Sequence, residues 1–181
     1  ECLSKLNKIE YDNFFTVVVD NKSPNNSFDN IKNYIANNDF KYNVDLILAE
    51  KNGGYSYGNN IGIKRAIERG AEYILIMNND VEFERRTFLK ELSDYITLNS
   101  EVSVVGPGII QNGLLETPHQ IKRISPINYI IETLLYPLIE VLRKLRKRKI
   151  QNIYKPIKVY AVHGSCFLIK SDIIHKIGYL D

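Results

Sequence analysis

Tyr73-Ile74-Leu75-Ile76-Met77-Asn78-Asn79-Asp80-Val81-Glu82 is the stretch on which the reading of this chain turns. Tyr73 to Met77 is apolar and β-branched enough to form a buried strand. The run stops at Asn78-Asn79-Asp80, and Glu84 opens a helical pattern. In open α/β sheets, ligands bind just past the carboxyl ends of the strands. A carboxylate held there, at Asp80, is placed to grip a divalent cation carrying a phosphorylated ligand, because hard cations prefer oxygen donors. The same residues also suit a plain polar turn in which Asp80 caps the next helix, since Asx residues favour turns and N-caps.

Working outward, the pattern repeats. Residues 1–8, with Leu3 and Leu6 apolar, read as the tail of a helix. Phe15 to Val19 reads as a buried strand ending in the polar turn Asp20-Asn21-Lys22-Ser23-Pro24. Phe28, Ile31, Tyr34 and Ile35 recur at helical spacing, and Val44 to Leu48 reads as a second strand. Asn52 to Asn60 is a glycine-rich loop, followed by a helix through Ile63, Ala66 and Ile67, for which Gly70 is a good C′ residue. Beyond Asp80, Phe88, Leu89, Leu92, Tyr95 and Ile96 mark another helix, and Val102 to Val105 a fourth strand. Alternating strands and helices at this spacing predict right-handed crossovers in a mainly parallel α/β sheet. Its polar strand ends, Asp20, the Asn52–Asn60 loop and Asn78–Asp80, would then converge on one rim.

The totals restrict the function classes. A chain of 181 residues holds about one domain, and 44% hydrophobic with 25% charged residues is ordinary for a globular protein. A net charge of +3 does not argue for nucleic acid. Cys2 and Cys166 lie far apart without CxxC spacing, so a reduced compartment is the default, and Cys166 reads as core packing. The sequence shows no signal peptide and no apolar run of about 18 residues that would span a bilayer. The localisation expected is cytoplasmic, with peripheral contact at the inner face of the membrane as an option.

That option comes from Ile127 to Lys149. Its first part is apolar and interrupted by Pro137, and six of the seven residues from Arg143 to Lys149 are basic. An interfacial segment on anionic lipid has this composition, and so does a helix packed on its own domain with a solvated basic end. After it, Ile157 to Val162 and Cys166 to Ile169 read as strands around His163-Gly164-Ser165, and Ser171-Asp172 as the cap of a short helix ending at Gly178.

Four segments in order resemble the inverting, nucleotide-sugar-dependent glycosyltransferases of family 2. Val17-Val18-Val19-Asp20-Asn21-Lys22-Ser23 is similar to the family's strand ending in an Asp-Asn-x-Ser turn. Asn52 to Ile63 resembles its glycine-rich helix start, and Gly70 to Val81 the strand leading into its DxD-like motif. Val162 to Lys170 with Ile177-Gly178-Tyr179-Leu180-Asp181 resembles the start of its acceptor-side region. The Asn-Asn-Asp and Gly-Asn-Asn variants are reminiscent of the rhamnosyltransferase-like branch.

The resemblance implies a three-layer GT-A (Rossmann-like) fold with helices on both faces of the sheet, here truncated at both ends as the interior of a larger transferase. It implies a nucleotide-diphosphate-sugar donor, a saccharide or lipid-linked acceptor, and Mg²⁺ or Mn²⁺ as cofactor. Donor contacts would fall to Asp20, Asn52, Gly53, Asn60, Asn78 and Asn79, and the metal to Asp80, the one carboxylate left in that motif. His163 and Gly164 would lie on the acceptor side. The catalytic base, a carboxylate in a Glu-Asp motif, would fall beyond Asp181, which would leave this stretch without turnover of its own. Asp20 and Asn79 also have plain turn readings, and His163 that of a hydrogen-bonded strand-end residue. The expected organisation is a nucleotide-sugar half over 1–112, an apolar and basic helical insertion over 113–156, and the start of an acceptor region over 157–181. The expected function is transfer of a sugar to an acceptor hydroxyl in cell-surface polysaccharide or glycolipid synthesis. The alternative is a non-catalytic nucleotide-sugar-binding or membrane-docking module. A dinucleotide-binding fold is disfavoured because Gly-x-Gly-x-x-Gly is absent, and a phosphate-loop NTPase because no Gly-Lys-Ser/Thr follows the glycines.

Overall fold

The computed structural model describes residues 1–111, 114–115, 125, 133–136 and 156–181. They form two units, Glu1–Val105 with Ser165–Asp181, and Gly106–Gly164. Of Ile127 to Lys149 only 133–136 are described, so the basic cluster and the membrane contact expected of it lie outside the described residues. Among those described, no helix is long and apolar enough to cross a membrane.

The first unit contains helix α1 (Cys2–Leu6), strand β1 (Phe15–Asp20), helix α2 (Ser27–Ala36), strand β2 (Asn43–Leu48) and helix α3 (Gly54–Glu68). Strand β3 (Tyr73–Met77), helix α4 (Phe88–Leu98), strand β4 (Val104–Val105), strand β7 (Cys166–Lys170) and helix α5 (Ser171–Ile177) complete it. The second unit holds an antiparallel pair, β5 (Ile110–Gln111) and β6 (Leu114–Leu115).

β1 and β2 pair in parallel from Phe15 opposite Asn43 to Asp20 opposite Leu48, as a crossover through α2 requires. β7 lies between β3 and β4 and is antiparallel to both. β3 and β4 therefore run in the same sense, as the alternating pattern predicts, but are not neighbours. A local pattern cannot foresee β7, which arrives some sixty residues after β4 and enters the ladder from the other direction.

Side chains alternate across the sheet. Tyr73, Leu75 and Met77 of β3 face clusters built from Leu92, Ile96 and Leu168 and from Leu6, Ile9, Tyr42 and Leu89. Ile74 and Ile76, on the opposite face, are buried as well. Both faces of β3 are covered, so a continuous apolar strand is stable there. Tyr42 ties α1 to this core: its hydroxyl donates to the Leu3 carbonyl at 3.0 Å.

Three local expectations need correction. Residues 55–60 are helical rather than loop, because α3 starts at Gly54. Gly58, Gly62 and Ala66 fall one turn apart on a smooth face that lets α3 approach β1 closely; a Cβ at Gly58 would lie 3.3 Å from Asn21 and one at Gly62 3.5 Å from Val19. Glu84 does not open a helix, since α4 starts at Phe88 behind Thr87. Ile157 to Val162 forms no strand beyond an isolated bridge at Ala161, and Ile157 and Tyr160 are exposed rather than packed.

Candidate functional site

Asp20 ends β1 and is only 6% exposed. Its Oδ1 accepts the Ser23 N–H at 2.7 Å and its Oδ2 the Ser27 hydroxyl at 2.6 Å. Burial opposes ionisation, but the hydrogen bonds from Ser27 and Ser23 prevail and hold the carboxyl below its ordinary range. The turn reading of Asp20 is thus realised: the carboxylate folds the chain back after β1 and anchors the first residue of α2.

The next residue joins this turn to the glycine-rich segment. The Asn21 amide donates to the Gly54 carbonyl at 2.9 Å and to Asn52 Oδ1 at 3.3 Å, and its oxygen accepts the Gly53 N–H at 3.4 Å. Asn52 Oδ1 also accepts the Gly54 N–H at 3.2 Å. Gly54 turns at φ +81, a conformation costly for residues with a Cβ. Gly53 has a different reason to be glycine: a Cβ there would sit 2.3 Å from the Tyr57 ring. The same ring carries the Lys51 ammonium at 5.6 Å. Because the Ala49 N–H donates to the Asp20 carbonyl at 2.9 Å, β1 and β2 end level beneath this cluster.

On the β3 side, the Asn78 N–H donates to the Ser165 carbonyl at 2.8 Å, and the Val81 N–H closes a turn onto the Asn78 carbonyl at 3.2 Å. Asn78 is half-buried, whereas Asn79 and Asp80 are exposed. The last two line a small cleft of about 50 Å³ with Glu1, Cys2, Lys5 and Glu82. Lys5 bridges Glu1 at 3.1 Å and Glu82 at 3.2 Å, holding the segment after Asp80 against α1. α3 also packs against β3, and Tyr55 lies in its first turn. Burial, and then the nearby Cys166 thiol, push its phenol up, and Cys166 is the register partner of Met77. Cys166 is buried and its thiol is pushed up to about 12 by burial, so it packs rather than reacts.

Asn60 lies in α3, and its amide is engaged with the backbone of Leu180: Nδ2 donates to the carbonyl at 2.7 Å and Oδ1 accepts the N–H at 3.0 Å. His163, half-buried, and Gly164, exposed, belong to the second unit. Asn21, Ser27, Tyr55 and Lys5 were not singled out from the sequence. Asn21 carried a signal, being the residue after a strand-ending Asp, but Ser27 and Lys5 act over separations that no local motif encodes.

Among the described residues no three His, Cys, Asp or Glu side chains are grouped so as to hold a metal ion. The donor set does fit a cation bound chiefly by phosphate and water. Asp80 offers one exposed carboxylate beside Asn78 and Asn79, and Mg²⁺-type ions commonly take only one or two protein carboxylates.

Known proteins resemble this chain in sequence and in fold. A hexosyltransferase of low-salt glycan biosynthesis from Haloferax volcanii is 29% identical over 168 residues, 91% of this chain and 47% of that protein. A dTDP-rhamnosyl transferase from Shigella flexneri is 32% identical over 105 residues, 58% of this chain and 32% of that protein. The chain thus spans less than half the length of these curated relatives. Among solved structures, a mannosyltransferase from Pyrobaculum calidifontis in complex with GDP-Man and Mn²⁺ superposes with a TM-score of 0.63 at 16% identity, over 99% of this chain and 42% of that one. That likeness establishes a GT-A type α/β fold. The profile of glycosyl transferase family 2 matches residues 1–178, and the chain belongs to that family.

Proposed function

We propose that this chain forms the donor-binding part of an enzyme that transfers a sugar from a nucleotide-diphosphate sugar to an acceptor hydroxyl, with inversion at the anomeric carbon. The observation that carries the reading is the rim itself. Asn21, next to Asp20, is hydrogen-bonded into the Asn52–Gly54 turn, α3 packs against β3, and Asp80 stands exposed just past that strand. The family match over residues 1–178 supports the same assignment.

In this reading Asp80 holds a divalent cation, Mg²⁺ or Mn²⁺, together with the donor's diphosphate. A cation there stabilises the negative charge that develops on the leaving diphosphate. Asn78 and Asn79 donate hydrogen bonds to ribose or phosphate oxygens. Asp20 keeps its turn fixed and offers its remaining lone pairs to the base or ribose. Asn52 and Gly53 shape the floor of the site rather than lending amides, because the Gly53 N–H already donates to Asn21. His163 and Gly164 are assigned to the acceptor side. The acceptor is a saccharide or lipid-linked hydroxyl in cell-surface polysaccharide or glycolipid synthesis, and its proton goes to a carboxylate in a Glu-Asp motif of the whole protein.

The 32% identity to a dTDP-rhamnosyl transferase makes dTDP-rhamnose the first donor to test. Calorimetric titration of dTDP-, UDP- and GDP-sugars, each with and without Mn²⁺, is the experiment. One donor class should bind, and bind more tightly with the metal. No binding by any of the three would remove the reading.

A further inference from the structure

Gly178–Asp181 follows α5 and is held largely by one residue of α3. At Gly178 the backbone turns at φ +91, and its N–H closes α5 onto the Ile174 carbonyl at 2.9 Å. Two residues later, both backbone polar groups of Leu180 are taken by Asn60, the donor–acceptor distances being 2.7 and 3.0 Å. A side-chain amide has the same donor and acceptor pair as a peptide group, so Asn60 takes the place a neighbouring strand residue would fill. One turn further along α3, the Lys64 ammonium lies 5.3 Å from the centre of the Tyr179 ring. Residues four apart share a helix face. Successive residues of the segment, 179 and 180, are thus received by successive turns of the helix that begins at the Asn52–Gly54 turn.

We propose that Asn60 is a positioning residue that clamps the Gly178–Asp181 segment to α3, the helix that begins at the Asn52–Gly54 turn, instead of contacting the donor itself. That the donor lies at the rim rests on the reading above; the clamp does not. Two substitutions test the arrangement differently. Alanine removes both bonds. Aspartate keeps the acceptor for the Leu180 N–H, but when ionised it sets a second oxygen against the Leu180 carbonyl. Protonated, it regains a donor, so an aspartate clamp re-forms only in acid.

The test combines hydrogen exchange with donor titration on the full chain. In Asn60→Ala, exchange of the Leu180 amide should speed roughly fivefold or more, as expected when a hydrogen bond of ordinary strength is lost. Amides in β1 and β3 should be unchanged, and the dTDP-sugar Kd should stay within about twofold. In Asn60→Asp, Leu180 protection should return as pH falls through the new carboxyl's titration, a profile that general loosening of the fold does not produce. Lys64→Met should speed exchange at Tyr179 and Leu180 while leaving Asn60 in place. Unchanged Leu180 exchange in Asn60→Ala overturns the proposal. So does a tenfold weaker donor Kd in Asn60→Ala with the β1 and β3 amides unchanged, since Asn60 would then be a donor contact. If the native chain binds no nucleotide sugar but the exchange results hold, the clamp stands and the donor reading falls.

Discussion

Asp20 fixes the turn after β1, and its chemistry contributes to the acid response of the protein. It is buried, with one hydrogen bond to each carboxylate oxygen, and its folded-state pKa lies below its ordinary value of 3.8. A depressed carboxyl stabilises the fold above the unfolded pKa, and that contribution disappears as pH falls through the folded value. The denaturation midpoint should therefore fall from about pH 4 downward in the native chain, with part of that slope absent in Asp20→Asn. Identical acid limbs in the two proteins would show that this carboxyl is not the group responsible. At neutral pH, Asp20→Ala should lose about 2 kcal/mol, because the Ser27 hydroxyl and the Ser23 N–H lose a charged partner; urea unfolding measures it. The sequence pointed to Asp20 as a donor contact but could not say that each of its oxygens already accepts a hydrogen bond. Ser27, seven residues away, becomes its partner only once α2 has formed.

At the level of elements, the strands were legible because β-branched apolar runs followed by polar turns have few other solutions. Helix α3 was legible only in its second half. Its glycines read as loop formers, yet two of them provide the surface along which the helix lies on β1. The two positions should respond oppositely to alanine. At Gly62 the new methyl meets Val19 at 3.5 Å, an ordinary contact, so Gly62→Ala should gain about 0.5–1 kcal/mol from helix propensity. At Gly58 it meets Asn21 at 3.3 Å, and Asn21 is held by bonds to Asn52, Gly53 and Gly54. Overpacking should exceed the propensity gain there, with a net loss of about 1 kcal/mol. Thermal denaturation of both variants checks the pair, and stabilisation by both would refute the close approach at Gly58. In α4, Ile96 is fully buried against Leu92 and Leu168, so Ile96→Ala should cost about 2–5 kcal/mol by the same measurement. The order of strands around β7 was not legible, since it depends on pairing between Tyr73–Met77 and residues almost a hundred positions later.

Across the whole molecule, the account depends on polar strand ends meeting at one rim while the apolar runs beneath them share one core. In the first unit the β1 turn is bonded to the start of α3, and α3 packs against β3. Each of these motifs is weak in isolation, and their order along the chain made the family legible before any contact was known. What the order could not convey was the division of labour. Asn21 does the knitting next to Asp20, and Lys5 restrains the segment after Asp80 through Glu82. Asp80 is left as an exposed carboxylate with no structural bond in evidence among the described residues, so replacing it should spare the fold. The central claim is tested most directly by calorimetric titration of dTDP-rhamnose with and without Mn²⁺ into the native chain and Asp80→Asn. The native chain should bind at least tenfold more tightly with Mn²⁺, and Asp80→Asn should unfold at the same temperature but lose that gain. A gain from Mn²⁺ that is equal in the two proteins would contradict the account.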